Sequence, residues 1–255
     1  MIIAVYNIKG GVAKTTTAVN MAAVFAANGR STLLVDLEAD MNASISLGVR
    51  PTQARPSINE LLLRERQLAD AVRPVDAVPN LHLITGSPAL WQIDEALRNV
   101  RQPERRVADV LRPLSLAHDV IVLDTPAGYS LLARSVPIIA DQLIVPVRAD
   151  YLSLESLAHL LRWYHERHAQ RKAAVIAGIL LTMVDYRRQA TREIVDIIRM
   201  HNRRGVLRTE IPQDPRVAEA PSHGIPLVRY SRSAASAAYR QLVAEFDRRL
   251  SRTRR

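Results

Sequence analysis

The chain has 255 residues, of which 48% are hydrophobic, so it can bury a full core as one large domain or two small ones. It contains no cysteine, which excludes disulfides, thiolate catalysis and cysteine-held zinc or iron–sulfur clusters. The formal net charge of +10 predicts attraction to polyanions, and because no signal peptide or apolar run of about 18 residues is present, we expect a soluble, cytoplasmic protein.

Short apolar runs rich in β-branched residues alternate with longer helical patterns along the whole chain. The pattern predicts strands at residues 2–6, 31–37, 81–85, 120–124, 142–147, 174–182 and 207–211. Helical spacing predicts the main helices at residues 14–27, 88–100, 152–170, 191–202 and 234–250, with a short helix at 58–63. This alternation favours a doubly wound α/β fold, in which helices cover both faces of a mostly parallel sheet.

Residues 50–56 form the most linker-like stretch, since two prolines stand among polar neighbours there. Strands on both sides of this stretch are needed to complete one sheet, so we expect an excursion within a single domain of residues 1–255. The first predicted strand begins at Ile2, which leaves no room for an N-terminal helix-turn-helix. We therefore expect no sequence-specific reading of DNA.

The stretch "NIKGGVAKTTTA", residues 7–18, joins the first predicted strand to the first predicted helix. Two glycines permit a tight turn, and Lys14 and Thr15 stand where the free N–H groups of a helix start converge on an anion. We expect Lys14 to contact the β- and γ-phosphates of a nucleotide and Thr15 to bind Mg²⁺ through its hydroxyl. The alternative is a glycine-rich turn without chemical meaning. The predicted nucleotide-binding residues of this loop are Lys9, Gly10, Gly11, Val12, Ala13, Lys14, Thr15 and Thr16.

Lysine usage supports the phosphate-loop interpretation. Only three of the 35 basic residues are lysine, namely Lys9, Lys14 and Lys172. With random placement, both basic residues of the loop would be lysine in fewer than about one case in a hundred, which indicates a need for compact ammonium groups in a crowded cradle. The loop nevertheless departs from the common pattern G-x-x-x-x-G-K-S/T, because Ile8 and Ala13 stand at its two glycine positions.

Acidic residues follow two of the predicted strands. The stretch "LLVDLEAD" ends in Asp36, Glu38 and Asp40, whose alternation predicts that all three point to one side, and "DVIVLDTPAG" contains Asp124. Ligands of open parallel sheets bind at the carboxyl ends of the strands, so we expect these carboxylates to organise Mg²⁺ and water around the phosphates. The alternative for a strand-end aspartate is a helix cap.

These motifs together resemble the deviant Walker A ATPases of the ParA/MinD family. The loop "KGGVAKTTTA" is similar to the family's Walker A loop, in which a lysine precedes the double glycine, so Ile8 is expected there. "LLVDLEADMNAS" and "VIVLDTPAG" are similar to its second acidic motif and its Walker B strand. The resemblance continues through "ADQLIVPVRADYLSLESL" and "GILLTMVD", and "IPQDPRVAEAPSHGIPLVRY" is closer to the ParA branch of DNA-segregation ATPases.

The resemblance implies an ATPase that uses ATP and Mg²⁺ and forms an ATP-dependent homodimer, in which Lys9 of each protomer reaches the nucleotide held by the other. It implies catalytic roles for Lys9, Lys14, Asp36 and Glu38, and metal contacts for Thr15, Asp36 and Asp124. It also places Met183, Pro212 and Asp214 around the adenine base.

Two positions depart from the family's pattern. Glu38 replaces the usual aspartate that places the attacking water, and a misplacement on the order of 1 Å costs about 10²-fold in rate, so we predict slow basal hydrolysis. Ala13 replaces a glycine, and a left-handed backbone there would cost an alanine about 1–2 kcal/mol. Either the loop avoids positive φ at Ala13 or nucleotide binding is weakened.

Arginine clusters suggest non-specific contact with the DNA backbone, which would place the protein on the nucleoid. The bland alternative for each cluster is a solvated basic face. The resemblance implies chromosome or plasmid partitioning, with release when a ParB-like centromere-binding protein or a cargo adaptor stimulates hydrolysis. The predicted DNA-contacting residues are Arg187, Arg188, Arg203, Arg204, Arg229, Arg232 and Arg240.

Other functions remain as alternatives. A MinD-like membrane or cargo-positioning ATPase is one, although the tail "SRTRR" lacks the large apolar residues of a membrane-binding helix. An ATP-switched scaffold with very slow turnover is another, favoured by Glu38 and Ala13. The absence of cysteine excludes a nitrogenase iron protein, and Lys9 argues against a biosynthetic ligase of the dethiobiotin synthetase type. His159, His165 and His168 are expected to be surface residues rather than metal ligands.

Overall fold

The computed structural model describes residues 1–168 and 174–253, and within them a single mixed sheet spans the molecule. Its strands are β1 (Ile2–Val5), β2 (Thr32–Asp36), β3 (Arg73–Pro74), β4 (Leu81–Ile84), β5 (Val120–Asp124), β6 (Gln142–Arg148), β7 (Val175–Val184) and β8 (Val206–Pro212). They are ordered β3-β4-β2-β5-β1-β6-β7-β8. Only the short edge strand β3 runs antiparallel to its neighbour among these described strands.

Helices connect the strands on both faces of the sheet. They are α1 (Lys14–Ala27), α2 (Asn42–Ser46), α3 (Ile58–Leu62), α4 (Leu68–Ala71), α5 (Ile93–Ala96), α6 (Pro103–Leu111), α7 (Leu131–Ile139), α8 (Tyr151–His168), α9 (Gln189–His201), α10 (Arg216–Glu219), α11 (Leu227–Tyr230) and α12 (Ala234–Thr253). Short 3₁₀ turns lie at Pro51–Gln53, Pro88–Gln92, Arg112–Leu116 and Ala220–His223.

Alternate residues of the buried strands serve two separate cores. In β1, Ile3 and Val5 face α1 and α12, where Phe25 and Phe246 meet edge to face with their ring centroids 6.1 Å apart. The other residues of β1 face the core beneath α6 and α7. Because a central strand of a doubly wound sheet is covered on both sides, it reads as a continuous apolar run.

Strand register sets the position of the candidate site. The central strand β1 lies between β5 and β6, and its last residue, Val5, is paired with Asp124. In the neighbouring pair, Asp36 of β2 is paired with Asp124 of β5. All these residues end parallel strands at one edge of the sheet, which we call the carboxyl edge. The opposite edge, where the parallel strands begin, is the amino edge.

The predicted α/β fold is confirmed, and each predicted strand occurs within two residues of its expected bounds. The predicted helix at 88–100 is wrong as one element, because a 3₁₀ turn and the short α5 replace it. Its apolar spacing is real, since Leu90, Ile93 and Leu97 are all buried. The last residues of the predicted helix 152–170 and Lys172 lie outside the described residues. The sequence did not predict β3 or the helices α2, α4, α6, α7, α10 and α11, of which α7 contains Pro137.

Candidate functional site at the carboxyl edge

The loop between β1 and α1 forms an open cradle of backbone donors. Within the described residues, the N–H groups of residues 10–16 donate to no acceptor, so they remain available to a ligand. Gly11 has a φ of +71°, and a Cβ added at Gly10 or Gly11 would meet no atom within 4 Å. Free N–H groups at a helix start are the standard means of binding a phosphate.

Ala13 adopts the left-handed conformation that glycine usually takes. Its φ is 65° and its ψ is 36°, and it directly precedes the first residue of α1. For an alanine this conformation costs about 1–2 kcal/mol. Of the two possibilities open from the sequence, the loop therefore does not avoid positive φ, and the strain is already present in the free protein.

Lys14 is buried within this cradle. Its side chain is part of a residue that is only 6% exposed, and Nζ donates a hydrogen bond to the carbonyl of Lys9 at 3.2 Å. Burial lowers the pKa of Lys14, while the carboxylates of Glu38 and Asp124 act in the opposite direction. An ammonium group so placed lacks water and gains strongly from an anionic ligand.

Asp124 is fully buried, and neither of its carboxylate oxygens has a hydrogen-bond partner among the described residues. Burial raises its pKa well above the usual value, and the charge of Asp36 raises it further. An orphaned carboxylate beside a threonine hydroxyl fits Mg²⁺, which binds one or two carboxylates and completes its shell with phosphates and water.

Asp36 is also fully buried, but its oxygens are occupied. Oδ1 accepts from the N–H of Glu38 at 3.1 Å, and Oδ2 accepts from the N–H and the hydroxyl of Ser44 at 2.9 and 2.6 Å. Burial raises the pKa of Asp36, although these hydrogen bonds oppose the shift. The geometry makes Asp36 the anchor of the segment that carries Glu38, whereas a direct metal contact would compete with these bonds.

Two residues that the sequence reading missed complete this anchor. The N–H of Gly86 donates to the hydroxyl of Ser44 at 3.1 Å. A Cβ at Gly86 would lie 2.4 Å from the carbonyl oxygen of Glu38 and 3.0 Å from Cγ of Asp36, so only glycine fits there. The available signal was a glycine immediately after a predicted strand, which often marks a close backbone approach.

Glu38 lies half-buried in front of this anchor. Burial raises its pKa, Lys14 lowers it, and the charges of Asp36 and Asp40 raise it again. The alternation expected of Asp36, Glu38 and Asp40 requires a strand, and β2 ends at the first of them. The strand ends at Asp36, the chain turns through Met41 with a φ of 57°, and Asp40 is exposed.

Lys9 is held within its own chain. Its Nζ donates to Oδ1 of Asp150 at 3.1 Å and to the hydroxyl of Ser153 at 2.8 Å, and its backbone N–H donates to Oδ1 of Asn7. Although burial acts to raise the pKa of Asp150, the hydrogen bonds from Ser153 and Lys9 together hold it below its usual value. Lys9 therefore has a defined resting position at the start of α8.

The residues predicted to surround the adenine lie at the ends of adjacent strands. Met183 has a φ of 52° near a register shift between β7 and β8, and Pro212 is paired with Val184. The neighbouring hydroxyl of Thr182 donates to the carbonyl of Val12 at 3.2 Å, which ties this region to the cradle. Asp214 is buried, and its Oδ1 accepts from Arg216 at 2.9 Å.

The arginines predicted to contact DNA fall into two separate sets. Arg203 and Arg204 lie between α9 and β8, which is the amino edge. The other set follows β7 or lies where α11 meets the first turns of α12, toward the carboxyl edge. Its members are Arg187, Arg188, Arg229, Arg232 and Arg240.

The members of the carboxyl-edge set differ in their partners. Arg187 forms an ion pair with Asp185 at 2.8 Å, and Arg240 donates to the carbonyl of Val228. Arg229 and Arg232 are exposed and have no acidic partner among the described residues. The last two are therefore the members of the set most available to a phosphate chain.

In the described part of the chain, no helix combines the length and the apolar character that a bilayer crossing requires. Across residues 1–168 and 174–253, no three His, Asp or Glu side chains are grouped so as to hold a metal ion by themselves. The ring Nδ1 of His165 lies 2.6 Å from the carbonyl of Leu161 in the preceding turn of α8.

Several known proteins are similar to this chain over most of its length. A family described as an AAA domain matches residues 1–175. The chain is 34% identical over 230 residues to the chromosome partitioning protein ParA of Myxococcus xanthus, covering 90% of this chain and 81% of that protein. It is 37% identical over 245 residues to the chromosome-partitioning ATPase Soj of Thermus thermophilus, covering 95% and 94%. Cobyrinic acid a,c-diamide synthase of Mycobacterium smegmatis, solved with ADP and magnesium, superposes with a TM-score of 0.84 at 25% identity, over 98% and 95%.

Proposed function

The chain belongs to the ParA/MinD family of ATPases, and from that premise we propose that it is a single-domain partitioning ATPase for a chromosome or plasmid. In this proposal it binds ATP and Mg²⁺, forms an ATP-dependent homodimer and binds DNA non-specifically. A ParB-like centromere-binding protein or a cargo adaptor then stimulates hydrolysis and releases it. Its location would be cytoplasmic and nucleoid-associated.

One observation carries the nucleotide part of the proposal. The free N–H groups of residues 10–16 and the orphaned carboxylate of Asp124 lie at the same edge of the sheet, with buried Lys14 between them. Each of these groups lacks a partner that a Mg²⁺–triphosphate complex would supply. The M. smegmatis synthase, which shares the fold, was solved with ADP and magnesium.

Different residues of the site bind different parts of the nucleotide. Lys14 binds the β- and γ-phosphates, and the N–H groups of the loop bind their oxygens. Thr15 and Asp124 are the residues that would hold Mg²⁺, which when bound neutralises charge on the phosphates. Met183, Pro212 and Asp214 border the base, with the Asp214 carboxylate engaged by Arg216 rather than free.

Glu38 is the residue that we assign to the attacking water. The water oxygen attacks the γ-phosphorus, the bond from that phosphorus to the bridging oxygen breaks, and the carboxylate of Glu38 accepts the water's proton. The products are ADP and inorganic phosphate. Burial raises the pKa of Glu38, which makes its carboxylate a stronger proton acceptor, and Asp36 positions it through the N–H of Glu38. Its extra methylene relative to the family's aspartate favours slow turnover.

Lys9 links hydrolysis to dimerisation in this proposal. To reach a nucleotide held by a second protomer, Lys9 must leave Asp150 and Ser153. In the partner's site it stabilises charge on the transferring phosphoryl group, as an arginine finger does elsewhere. The intramolecular contacts of Lys9 would then keep the isolated protomer inactive.

The DNA part of the proposal uses the carboxyl-edge arginines, with Arg229 and Arg232 foremost. These residues flank the edge that faces a second protomer, so a dimer doubles their number and DNA affinity rises with ATP. Phosphate contacts release counterions, so affinity falls steeply with salt. Retention on duplex DNA that responds to neither ATP nor salt would overturn this part.

A phosphate-release assay tests the enzyme directly. Steady-state release is measured with Mg²⁺ and then with EDTA, for the parent and for Glu38→Ala, with Arg105→Ala as a control for an exposed cation far from the cradle. We expect Mg²⁺-dependent release that Glu38→Ala lowers and Arg105→Ala leaves unchanged. Strained Ala13 and Glu38 also favour the ATP-switched scaffold as a second candidate, in which ATP binds but release stays at background even with DNA and a partner protein.

A further inference from the structure

A second large concavity lies at the amino edge of the sheet, with a volume of about 780 Å³. We call it the amino-edge groove. Its floor contains the first residues of three neighbouring strands, Gln142, Val175 and Val206, together with Leu250 of α12. Its rim carries the exposed arginines Arg203, Arg204, Arg208, Arg248 and Arg252.

The groove is separate from the nucleotide cradle. Strands β6, β7 and β8 run parallel, so the residues at which they begin lie at the edge opposite to the cradle. Strand β6 alone has seven residues, and at about 3.3 Å per residue it places roughly 20 Å between the two edges. No ligand of nucleotide size bridges that distance, so a ligand in the groove would be distinct from the nucleotide.

Arg249 is fixed by several contacts beside the groove, whereas the rim arginines carry positive charge without an acidic partner among the described residues. Arg249 donates to the carbonyls of Ala177, Arg204 and Val206 and is paired with Glu245 at 3.2 Å, which fixes the rim segment to α12. None of the rim arginines has an acidic partner within residues 1–168 and 174–253. Five guanidinium groups without an ion pair thus surround a concavity in which Glu245, the only carboxylate among the described lining residues, is already paired with Arg249. The excess of positive charge favours an anionic occupant.

The floor distinguishes between kinds of anion. Val175 is 55% exposed and Leu250 is half-buried, so apolar surface lies between the cations. No aromatic side chain lines the groove among the described residues, so bases of a single strand have no stacking platform. A duplex presents phosphates to a protein surface but nothing apolar to fill such a floor.

We propose that the amino-edge groove binds an extended peptide segment of a partner protein in which acidic residues alternate with aliphatic ones, and that this binding is independent of nucleotide. Carboxylates pair with the rim guanidinium groups, which can bind them in a bidentate manner. Aliphatic side chains cover Val175 and Leu250, since successive residues of an extended chain point to opposite sides.

The test uses the full chain and a fluorescent peptide of alternating Glu and Val residues, measured by anisotropy. The double variant Arg204→Glu with Arg248→Glu reverses two rim charges, and Arg101→Glu with Arg105→Glu makes the same charge change at exposed arginines elsewhere. We expect the rim variant to weaken the peptide at least about tenfold, and the control pair to change it by less than about twofold. Saturating ATP and the variant Lys14→Ala should leave the affinity unchanged.

Further probes decide the chemistry of the occupant. A poly-Glu peptide of the same charge should bind more weakly than the alternating peptide, because it cannot cover the apolar floor. Equal affinity for both peptides, equal loss in the rim variant and the control pair, or no peptide binding would overturn the proposal. So would loss of duplex DNA binding in the rim variant without any effect on the peptide, which would make nucleic acid the occupant. Thermal melting of each variant confirms that it is folded.

Discussion

The two edges of the sheet carry their charges in opposite ways. At the carboxyl edge, Lys14, Asp36 and Asp124 are almost completely buried, and Asp124 has no hydrogen-bond partner among the described residues. At the amino edge, Arg203 and Arg204 are exposed to solvent. Burying an uncompensated charge is unfavourable, whereas an exposed arginine is well hydrated.

Because of this difference, the carboxyl edge indicates a ligand more strongly than the amino edge does. The carboxyl edge holds strain at Ala13 and Met183 in addition to its buried charges, and a folded protein retains such features where a ligand uses them. Among the described residues that line the amino-edge groove, none has a positive φ, so the shape and apolar floor of the groove are what indicate a ligand there.

Lys14→Ala should have the largest effect, because it removes the only buried cation of the described carboxyl edge. We expect kcat/KM for ATP to fall on the order of 10⁴-fold through lost binding and lost transition-state stabilisation together. Lys14→Arg should not rescue it, since a wide guanidinium does not fit the cradle. Titration calorimetry and phosphate release are the measurements. An ATP affinity of Lys14→Ala within threefold of the parent's would show that Lys14 does not contribute to nucleotide binding.

Lys9→Ala should separate binding from turnover. We expect ATP affinity of the protomer to stay nearly constant, while hydrolysis falls on the order of 10³-fold, as for loss of an arginine finger. Asp150→Ala should have the opposite effect and favour dimerisation. It removes the ion pair between Lys9 Nζ and Asp150 Oδ1, which lie 3.1 Å apart. Its ATP-dependent dimerisation should occur at lower protein concentration. Equal loss of ATP binding and hydrolysis in Lys9→Ala would show that Lys9 acts only within its own cradle.

Asp124→Asn should lower the rate of hydrolysis and raise the stability of the nucleotide-free protein. We expect Mg²⁺-dependent hydrolysis to fall on the order of 10²-fold, and the free energy of unfolding of the nucleotide-free protein in EDTA to rise at neutral pH, because burial raises the pKa of Asp124. The raised pKa means that the folded parent binds a proton more tightly than the unfolded chain. The parent therefore loses stability as pH rises above the unfolded value of about 3.9, and the variant does not. Urea titrations across that range measure the gap, and a gap that is constant with pH would contradict this account of Asp124.

Ser44→Ala should have a moderate effect on the anchor behind Glu38. The variant loses the 2.6 Å hydrogen bond to Asp36, and we expect kcat to fall about tenfold with KM for ATP unchanged. Ser44→Thr keeps the hydroxyl and should restore most of kcat, which a purely structural role for the side chain would not predict. A rise in KM without a change in kcat would assign Ser44 to nucleotide binding instead.

Ala13→Gly should have the smallest effect. It removes about 1–2 kcal/mol of backbone strain from the folded protein. The greater conformational entropy of glycine stabilises the unfolded chain by about 0.5–1 kcal/mol, so the free energy of unfolding should rise by about 1 kcal/mol at most. Because the φ of 65° is present without nucleotide, ATP affinity should change by less than about threefold. Urea unfolding and ATP titration of the same preparation compare the two. A large gain in affinity without a gain in stability would show that the strain arises on binding.

The sequence predicted most of the carboxyl edge because local patterns encode it. A buried strand followed by Gly10 and Gly11 and by Lys14 at a helix start has few other structural meanings. It did not predict Ser44 or Gly86, whose contacts with Asp36 and Glu38 depend on the distance between β2 and β4 in the folded sheet. It also treated Arg203 and Arg187 alike, although the predicted elements already separate them: Arg187 follows a strand and Arg203 precedes one, which puts them at opposite edges of a parallel sheet.

The mass of the protein in solution shows whether a second copy completes the carboxyl edge when ATP is bound. Sedimentation velocity would be measured with Mg²⁺ and ATP, with Mg²⁺ and ADP, and with Lys14→Ala as the control. We predict that the mass doubles only for the parent with ATP. A mass of one chain in all three conditions, at protein concentrations where ATP is bound, would contradict the account.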